Sequence, residues 1–244
     1  MSYIAVTALS HAGAVRDQNE DSLVIGPWTL CATVTGNPQT LVFPLGAPLV
    51  VAVADGLGGH PGGEVASALV TRHLAQVGSL MDSEEAIGEA LDECNHAVHA
   101  AASRNPALTA MGTTVAGVSV TTDRVLAFNV GDSRVYAAGP GDLRQLSTDD
   151  RPPAEQLPSG IVTQTLGGND AVTAVDPHVT ASPLSGDGSY LICTDGLTDP
   201  VPAAVLGDVL RQYQDGEAAF KLWKAAIEAG GPDNITIALV RMSS

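Results

Sequence analysis

Two apolar runs of this chain end in the same dipeptide, Asp-Gly. Leu49–Ala54 is followed by Asp55-Gly56, and Tyr190–Thr194 ends beside Asp195-Gly196. A third carboxylate, Asp233, stands just before another apolar run. An aspartate at the end of a strand, with glycine behind it, presents a carboxylate and an unshielded backbone carbonyl to a shared cleft. Oxygen ligands of this kind favour hard divalent cations such as Mg²⁺ and Mn²⁺.

The charge balance argues against several classes of partner. The 244 residues include 27 acidic and 11 basic side chains, which gives a formal charge of −16. Such a chain repels phosphate backbones and anionic membranes, so we expect neither nucleic acid nor membrane as a partner. Any phosphate that the protein handles then needs a metal to mediate it. The length and the 45% hydrophobic content suit one domain with a sizeable core.

The cysteines and the first residues bear on the compartment. Cys31, Cys94 and Cys193 are odd in number and widely spaced, which indicates neither a disulfide framework nor a zinc site. Met1–Leu9 lacks the features of a signal peptide, and no apolar run approaches the ~20 residues of a membrane span. We therefore expect a soluble, unprocessed cytoplasmic protein.

Hydrophobic periodicity predicts strands grouped into meanders and helices grouped in pairs. The predicted strands are Tyr3–Leu9, Ser22–Ile25, Trp28–Thr35, Thr40–Phe43, Leu49–Ala54, Thr113–Thr121, Arg124–Val130, Arg134–Ala138, Val172–Thr180, Ser189–Thr194 and Asn234–Arg241. The predicted helices are Gly62 to about Met81, Ser83 to about Ser103, Pro202–Gln212 and Glu217–Ala229. We expect the three strands between Thr113 and Ala138 to form one meander. This grouping favours an α+β fold over a doubly wound parallel sheet.

Six short motifs follow one another in an order that is far more specific than any one of them. A single Asp-Gly is typical of a turn. The six are Arg16–Asp21, Ala54–His60, Gly112–Thr114, Val130–Arg134, Thr194–Gly196 and Gly231–Thr236. Their order resembles the metal-dependent serine/threonine protein phosphatases of the type-2C (PPM) family, bacterial type. The resemblance implies a four-layer αββα sandwich, in which helix pairs flank two packed antiparallel sheets, and a single phosphatase domain over residues 1–244.

The resemblance also implies a pair of Mn²⁺ or Mg²⁺ ions at one edge of the sandwich. Asp55 would bridge both ions, and Gly56 would offer its backbone carbonyl to one of them. Asp195 and Asp233 would complete the protein ligands of the other ion. Such a sparse, oxygen-only shell suits Mg²⁺ or Mn²⁺, which keep several waters, better than zinc.

Further positions of the family pattern fall on charged residues of this chain. Glu20 and Asp21 would hold metal-bound waters, and Arg16 matches the arginine that grips the phosphate; we assign Arg16 and Asp21 to catalysis. A surface ion pair to Asp17 or Glu20 is the alternative for Arg16. Asp132 would bind a third, weaker metal ion, shared with Asp195, or would simply serve a β-turn. We expect Asn234 to orient the neighbouring aspartate.

Two features depart from the family pattern. Leu57 stands where many eukaryotic members have a histidine after the first Asp-Gly, and His60, three residues later, is either a proton donor or a structural residue. The proton donor is therefore unassigned. The flap, at about 149–164, is short and rich in proline, which makes a helix there improbable. We hypothesise a more open cleft with altered specificity.

Together these observations predict a phosphatase that hydrolyses phosphomonoesters of serine and threonine in proteins, by a water activated between two metal ions. Its expected partners are phosphoserine and phosphothreonine proteins and a Ser/Thr kinase that it opposes. The alternative is a catalytically weak pseudophosphatase that acts as a binding or regulatory module. Loss of ligands usually marks that outcome, and Asp55, Asp195 and Asp233 are all present.

Overall fold

The computed structural model describes residues 2–57, 62–139, 143–152, 161–169, 171–186 and 188–243. The strands are β1 (Tyr3–His11), β2 (Ser22–Ile25), β3 (Trp28–Cys31), β4 (Gln39–Pro44), β5 (Leu49–Ala54), β6 (Gly112–Thr113), β7 (Val115–Val120), β8 (Arg124–Val130), β9 (Arg134–Ala138), β10 (Leu143–Gln145), β11 (Leu166–Gly167), β12 (His178–Pro183), β13 (Ser189–Cys193) and β14 (Ile235–Ser243). The helices are α1 (Gly63–Val77), α2 (Glu84–Arg104), α3 (Asp195–Thr198), α4 (Ala203–Gln212) and α5 (Asp215–Glu228).

Two six-stranded antiparallel sheets form the centre of the molecule. The first sheet has the order β10-β9-β13-β14-β1-β4, and the second has the order β12-β8-β7-β5-β2-β3. A further short pair joins β11 to β6. The sheets pack face to face through apolar side chains that alternate along each strand, such as Ile4, Val6 and Ala8 of β1.

Strand β5 shows why the inner strands are apolar along their whole length. Val51 and Val53 point into the core between the sheets. Val50, Ala52 and Ala54 point the other way, into the core beneath α1 and α2. Because both faces of the strand are buried, the run lacks the alternation of a half-exposed strand.

Each sheet is covered on its outer face by helices. Helix α2 begins at the N-cap Ser83, whose side chain accepts a hydrogen bond from the backbone N–H of Ala86, and the helix packs Ile87 and Leu91 with α1 against the second sheet. Helices α4 and α5 cover the first sheet through residues such as Leu222. The predicted α+β class and the four-layer sandwich of helix pairs and antiparallel sheets are confirmed.

Three strand predictions are wrong in part. The strands after Thr113 do not form one meander, because the turn at Gly131 (φ +101°) sends β9 to the other sheet, where it pairs with β13. The strand expected at Val172–Thr180 begins only at His178, since Pro177 has no N–H for the ladder. The strand expected at Trp28–Thr35 ends at Cys31, because Ala32 is left-handed (φ +47°).

Within the residues that the structure describes, no helix has both the length and the apolar character needed to cross a membrane.

Burial predicts different losses of stability when two phenylalanines are replaced. Phe128 of β8 is fully buried over Gly117, whereas Phe220 of α5 is 42% exposed. Phe128→Ala should lower the free energy of unfolding by about 3–5 kcal/mol, because it removes a large buried ring and leaves a cavity. Phe220→Ala, the matched control, should cost about 1 kcal/mol or less. Urea denaturation measures both; equal losses would contradict this packing.

Candidate metal centre

Strand register brings the predicted ligands to one end of the sandwich. In the second sheet, Ser22 pairs with Ala54, so Asp21, before β2, lies next to Asp55, after β5. In the first sheet, β13 ends beside the start of β14, and the backbone N–H of Thr194 donates to the carbonyl of Thr236 at 3.1 Å. Segments far apart in sequence therefore meet at one edge.

Asp55 and Gly56 are fixed by the segment around β6. The hydroxyl of Thr113 donates to the carbonyl of Asp55 at 2.7 Å, and the backbone N–H of Thr114 donates to the same carbonyl at 2.9 Å. A Cβ on Gly56 would stand 2.4 Å from the carbonyl carbon of Gly63. Only glycine allows this close approach of two backbone segments.

Strand β13 ends at Cys193, and Asp195 is the first residue of α3, directly after the N-cap Thr194. The backbone of Gly196 lies so close to Asn234 that a Cβ would stand 1.8 Å from the Asn234 carbonyl oxygen. This contact sets the two carboxylate-bearing segments, at Asp195 and Asp233, against each other.

Asp21 is fully buried and only half satisfied. Its Oδ2 accepts a hydrogen bond from the hydroxyl of Thr194 at 2.9 Å, while its Oδ1 has no partner among the described residues. Burial, opposed in part by hydrogen bonds from Thr194 and Thr236, raises the pKa of Asp21 to about 7. A buried oxygen without a donor is costly unless a water or a cation satisfies it.

The carboxylates repel one another. Desolvation, followed by the charges of Asp21, Asp195, Asp233 and Asp132, raises the pKa of Asp55 well above its ordinary value. The pKa of Asp195 is raised to about 7, first by burial and then by neighbouring aspartates. Mutual repulsion of this kind is the electrostatic condition that a bound cation relieves.

Glu20 lies at the side of the cluster, beside the start of α1. Burial and then the charge of Glu64 raise the pKa of Glu20. The hydroxyl of Ser67 donates to the Glu20 carbonyl at 2.6 Å and ties this segment to α1.

Two arginines reach into the cluster. Nη2 of Arg16 donates to Oδ2 of Asp233 at 2.7 Å, a pair in which both side chains are about two-fifths exposed. The ion-pair alternative for Arg16 is therefore realised with Asp233 and not with a sequence neighbour. Nε of Arg151 donates to Oδ2 of Asp132 at 2.7 Å, and its Nη2 donates to Oδ2 of Asp195 at 3.1 Å.

Asn234 holds a loop. Its side chain donates to the carbonyls of Ala12 and Gln18, at 3.0 and 2.8 Å, and accepts from the N–H of Glu20 at 2.8 Å. Only its backbone N–H meets Asp233, at Oδ1 and 2.8 Å. The expected contact with Asp233 is therefore made by the backbone of Asn234, because its side chain is fully engaged with the loop that carries Arg16.

The donor set fits a pair of hard cations with water-rich shells. All candidate ligands are carboxylate or backbone oxygens, and Oδ1 of Asp21 has no hydrogen-bond partner in the part of the chain that the structure describes. Across the described ranges, no three side chains of Asp, Glu, His or Cys already surround a single point as ligands of one ion would. Three of these carboxylates are turned to arginines instead: Asp233 pairs with Arg16, and both Asp132 and Asp195 pair with Arg151. His60 falls within 58–61, outside the described residues.

The structure describes only the two ends of the proposed flap. Residues 149–152 and 161–164 have no regular structure, and 153–160 lie outside the described residues. Asp150 anchors the base of the flap. Its carboxylate accepts a hydrogen bond from the N–H of Gly131 at 2.8 Å, and its backbone carbonyl accepts one from the N–H of Thr163 at 2.7 Å.

Sequence reasoning missed Arg151, together with Asp199, which it also contacts at 3.0 Å. One signal was present: Arg151 is one of only 11 basic residues and follows two aspartates between the fourth and fifth motifs.

Comparisons with known proteins agree with this geometry. A sequence profile of the family described as "Protein phosphatase 2C" matches residues 41–241. The serine/threonine protein phosphatase PstP of Mycobacterium tuberculosis (strain CDC 1551 / Oshkosh) is 32% identical over 251 residues, which cover 94% of this chain and 43% of PstP. The serine/threonine phosphatase stp of Listeria welshimeri is 33% identical over 213 residues, which cover 78% of this chain and 83% of that protein.

A solved structure is similar over the full length. The crystal structure of the catalytic domain of PstP in complex with two manganese ions matches with a TM-score of 0.78 and 28% identity, and the match covers 100% of both chains. The fold and the motifs thus define a domain of the bacterial protein phosphatase 2C type. The chain belongs to the protein phosphatase 2C family. It spans less than half the length of PstP.

The raised pKa values predict how stability depends on pH without metal. Because the pKa values of Asp21 and Asp195 are about 7 in the folded state, against about 3.9 for an ordinary aspartate, the folded state binds more protons between about pH 4 and pH 7. The free energy of unfolding should therefore fall as pH rises through this window. In EDTA, Tm should be lower at pH 8 than at pH 5.5, and Mn²⁺ should raise Tm more at pH 8.

Two variants separate this effect from the general acidity of the chain. Asp55→Asn removes one of the buried carboxyl groups whose pKa is raised, and it should flatten the fall in Tm. Asp82→Asn, at an exposed position beyond the cluster, should leave the slope as in the wild type. A wild-type slope in Asp55→Asn would contradict the electrostatic account.

Proposed function

We propose that this chain is a Mn²⁺- or Mg²⁺-dependent protein serine/threonine phosphatase. The observation that carries the proposal is the convergence of Asp21, Asp55, Asp195 and Asp233 at one end of the sandwich, with Arg16 at the exposed rim. Membership of the protein phosphatase 2C family and similarity to a manganese-bound relative support it. We also propose that residues 1–244 form a single phosphatase domain with a short flap at about 149–164.

The residues would divide the work as follows. Asp55, with the Gly56 carbonyl, would hold both ions, and Asp195 and Asp233 would complete the protein ligands. Bound there, two ions would lower the pKa of a shared water and neutralise the phosphoryl oxygens. Glu20 and Asp21 would accept hydrogen bonds from waters of the shell; the free Oδ1 of Asp21 is the buried acceptor in that position.

Arg16 would bind the phosphate. Its planar guanidinium can hold two phosphate oxygens at once, and its loop is fixed by Asn234. Because Arg16 now pairs with Asp233 in an exposed ion pair, which is worth little, a phosphate dianion can replace that carboxylate at small cost. The substrates would be phosphoserine and phosphothreonine proteins, and the biological partner would be the Ser/Thr kinase whose products are removed.

Removal of a ligand tests the metal assignment. Purified protein should hydrolyse p-nitrophenyl phosphate when Mn²⁺ is added, and Asp55→Ala or Asp195→Ala should reduce the rate to background, because each removes an oxygen that no neighbour replaces. Asp82→Ala, an exposed aspartate on a different part of the surface, should retain the wild-type rate. Full activity in either ligand variant would refute the assignment. A panel of pSer, pThr and pTyr peptides then defines the substrate class.

Arginine at position 16 should be needed for its shape as well as for its charge. Arg16→Lys keeps the positive charge but cannot make a bidentate contact with the phosphate. KM should therefore rise about ten-fold, which corresponds to the loss of one charge-assisted hydrogen bond. The value of kcat should change less. Arg124→Lys, at the far end of β8 and in a surface ion pair, is the control. Unchanged KM in Arg16→Lys would remove Arg16 from the phosphate site.

A further inference from the structure

Arg151 lies among three carboxylates of the proposed centre. Its Nε and Nη2 donate to Asp132 and Asp195, and its guanidinium forms a two-pronged contact with Asp199, at 3.0 Å from Nη1 and 3.3 Å from Nη2. One guanidinium thus donates from all three of its nitrogens to acids at the turn after β8 and at the two ends of α3.

The backbone holds Arg151 in this position. The neighbouring Asp150 makes two hydrogen bonds to Gly131: its N–H donates to the Gly131 carbonyl at 3.0 Å, and its carboxylate accepts the Gly131 N–H at 2.8 Å. Arg151 is therefore fixed beside the turn that carries Asp132. Its side chain is 20% exposed, whereas that of Arg16 is 41% exposed and makes one contact.

Asp132 needs a positive partner. Its side chain is 2% exposed, and an ionised carboxylate at that depth is costly without a compensating charge. Among the described residues, Arg151 is the one basic side chain in an ion pair with it. A metal ion shared by Asp132 and Asp195 would compete with the Arg151 guanidinium, which already occupies one carboxylate oxygen of each.

We propose that Arg151 is a built-in cation that takes the place of a third metal ion between Asp132 and Asp195. The inference rests on the proposed two-metal centre. Arg151 is then a positioning residue: it neutralises Asp132 and holds one oxygen of Asp195, leaving the other oxygen to the metal pair. The chain should bind two Mn²⁺ ions, and a third only after the guanidinium is removed.

Equilibrium dialysis of the full chain against Mn²⁺, with bound metal measured by atomic emission, tests this. The wild type should bind two ions per chain and Arg151→Ala three. Arg151→Lys, which keeps a positive charge, should bind two. The double variant Asp132→Asn/Arg151→Ala should also bind two, because it lacks the carboxylate of the new site. Arg124→Ala, which removes a positive charge from the far end of β8, should behave as the wild type.

Thermal unfolding gives a second readout for a variant that folds poorly. Mn²⁺ should raise Tm more in Arg151→Ala than in the wild type, since the metal then supplies the missing charge. This excess should vanish in the double variant. If Arg151→Ala folds only with Mn²⁺, the inference is supported.

Each contrary outcome has a distinct meaning. Three ions in the wild type, or two in Arg151→Ala with no excess rise of Tm, would overturn the inference while leaving the proposed function intact. No Mn²⁺ binding by the wild type would overturn the proposed function, and this inference with it.

Discussion

Mutual repulsion among carboxylates at one end of the β-sandwich is the constraint on which the site depends. Asp21, Asp55, Asp132, Asp195 and Asp233 come from separate segments of the chain, and folding brings them together. Such a cluster is unfavourable by itself, and it persists because the sheets behind it bury enough apolar surface to hold it. Two arginines relieve part of this repulsion, and a pair of cations would relieve the rest.

Backbone geometry keeps the cluster close without flexible side chains. Antiparallel register sets Asp21 beside Asp55, and glycine behind each of the two strand-end aspartates lets neighbouring backbones approach within distances that a Cβ would forbid. Gly56 lies against Gly63 at the start of α1, and Gly196 lies against Asn234. Rigid strands thereby position the ligands, which is the condition for a centre whose geometry must be held closely. The two arginines differ in kind, since Arg16 is exposed and free to exchange partners, while Arg151 is enclosed by acids on all its donor groups.

Much of the fold could be predicted from the sequence because local patterns and tertiary structure agree. Strand β5 was predicted with its observed bounds, since an apolar run that ends in Asp-Gly has few other uses, and Ser83 marked the start of α2 as an N-cap does. The crossing of β9 to the other sheet could not be predicted, because the residues of β8 and β9 do not indicate which sheet each strand joins, and only the left-handed Gly131 turn redirects the chain. The start of β12 was predicted six residues too early because valine and threonine, which favour strands, precede Pro177.

The candidate site likewise contains residues that the sequence predicts and residues that it does not. Asp55, Asp195 and Asp233 stand in motifs whose order is visible in the sequence, and their convergence follows from strand register. Arg151 was invisible to motif reasoning because its role depends on a contact between the flap base and the turn at Asp132, which no local pattern encodes. The loop-holding role of Asn234 was missed for the same reason: its partners are backbone carbonyls more than 200 positions away in the chain.

The central claim is that these scattered carboxylates form a dinuclear centre. Anomalous diffraction from crystals grown with Mn²⁺ tests it most directly. The account predicts two strong peaks that share Asp55, with Asp195 and Asp233 among the remaining protein ligands. Density without peaks at this end of the sandwich, or manganese bound elsewhere while these carboxylates stay turned to Arg16 and Arg151, would contradict it.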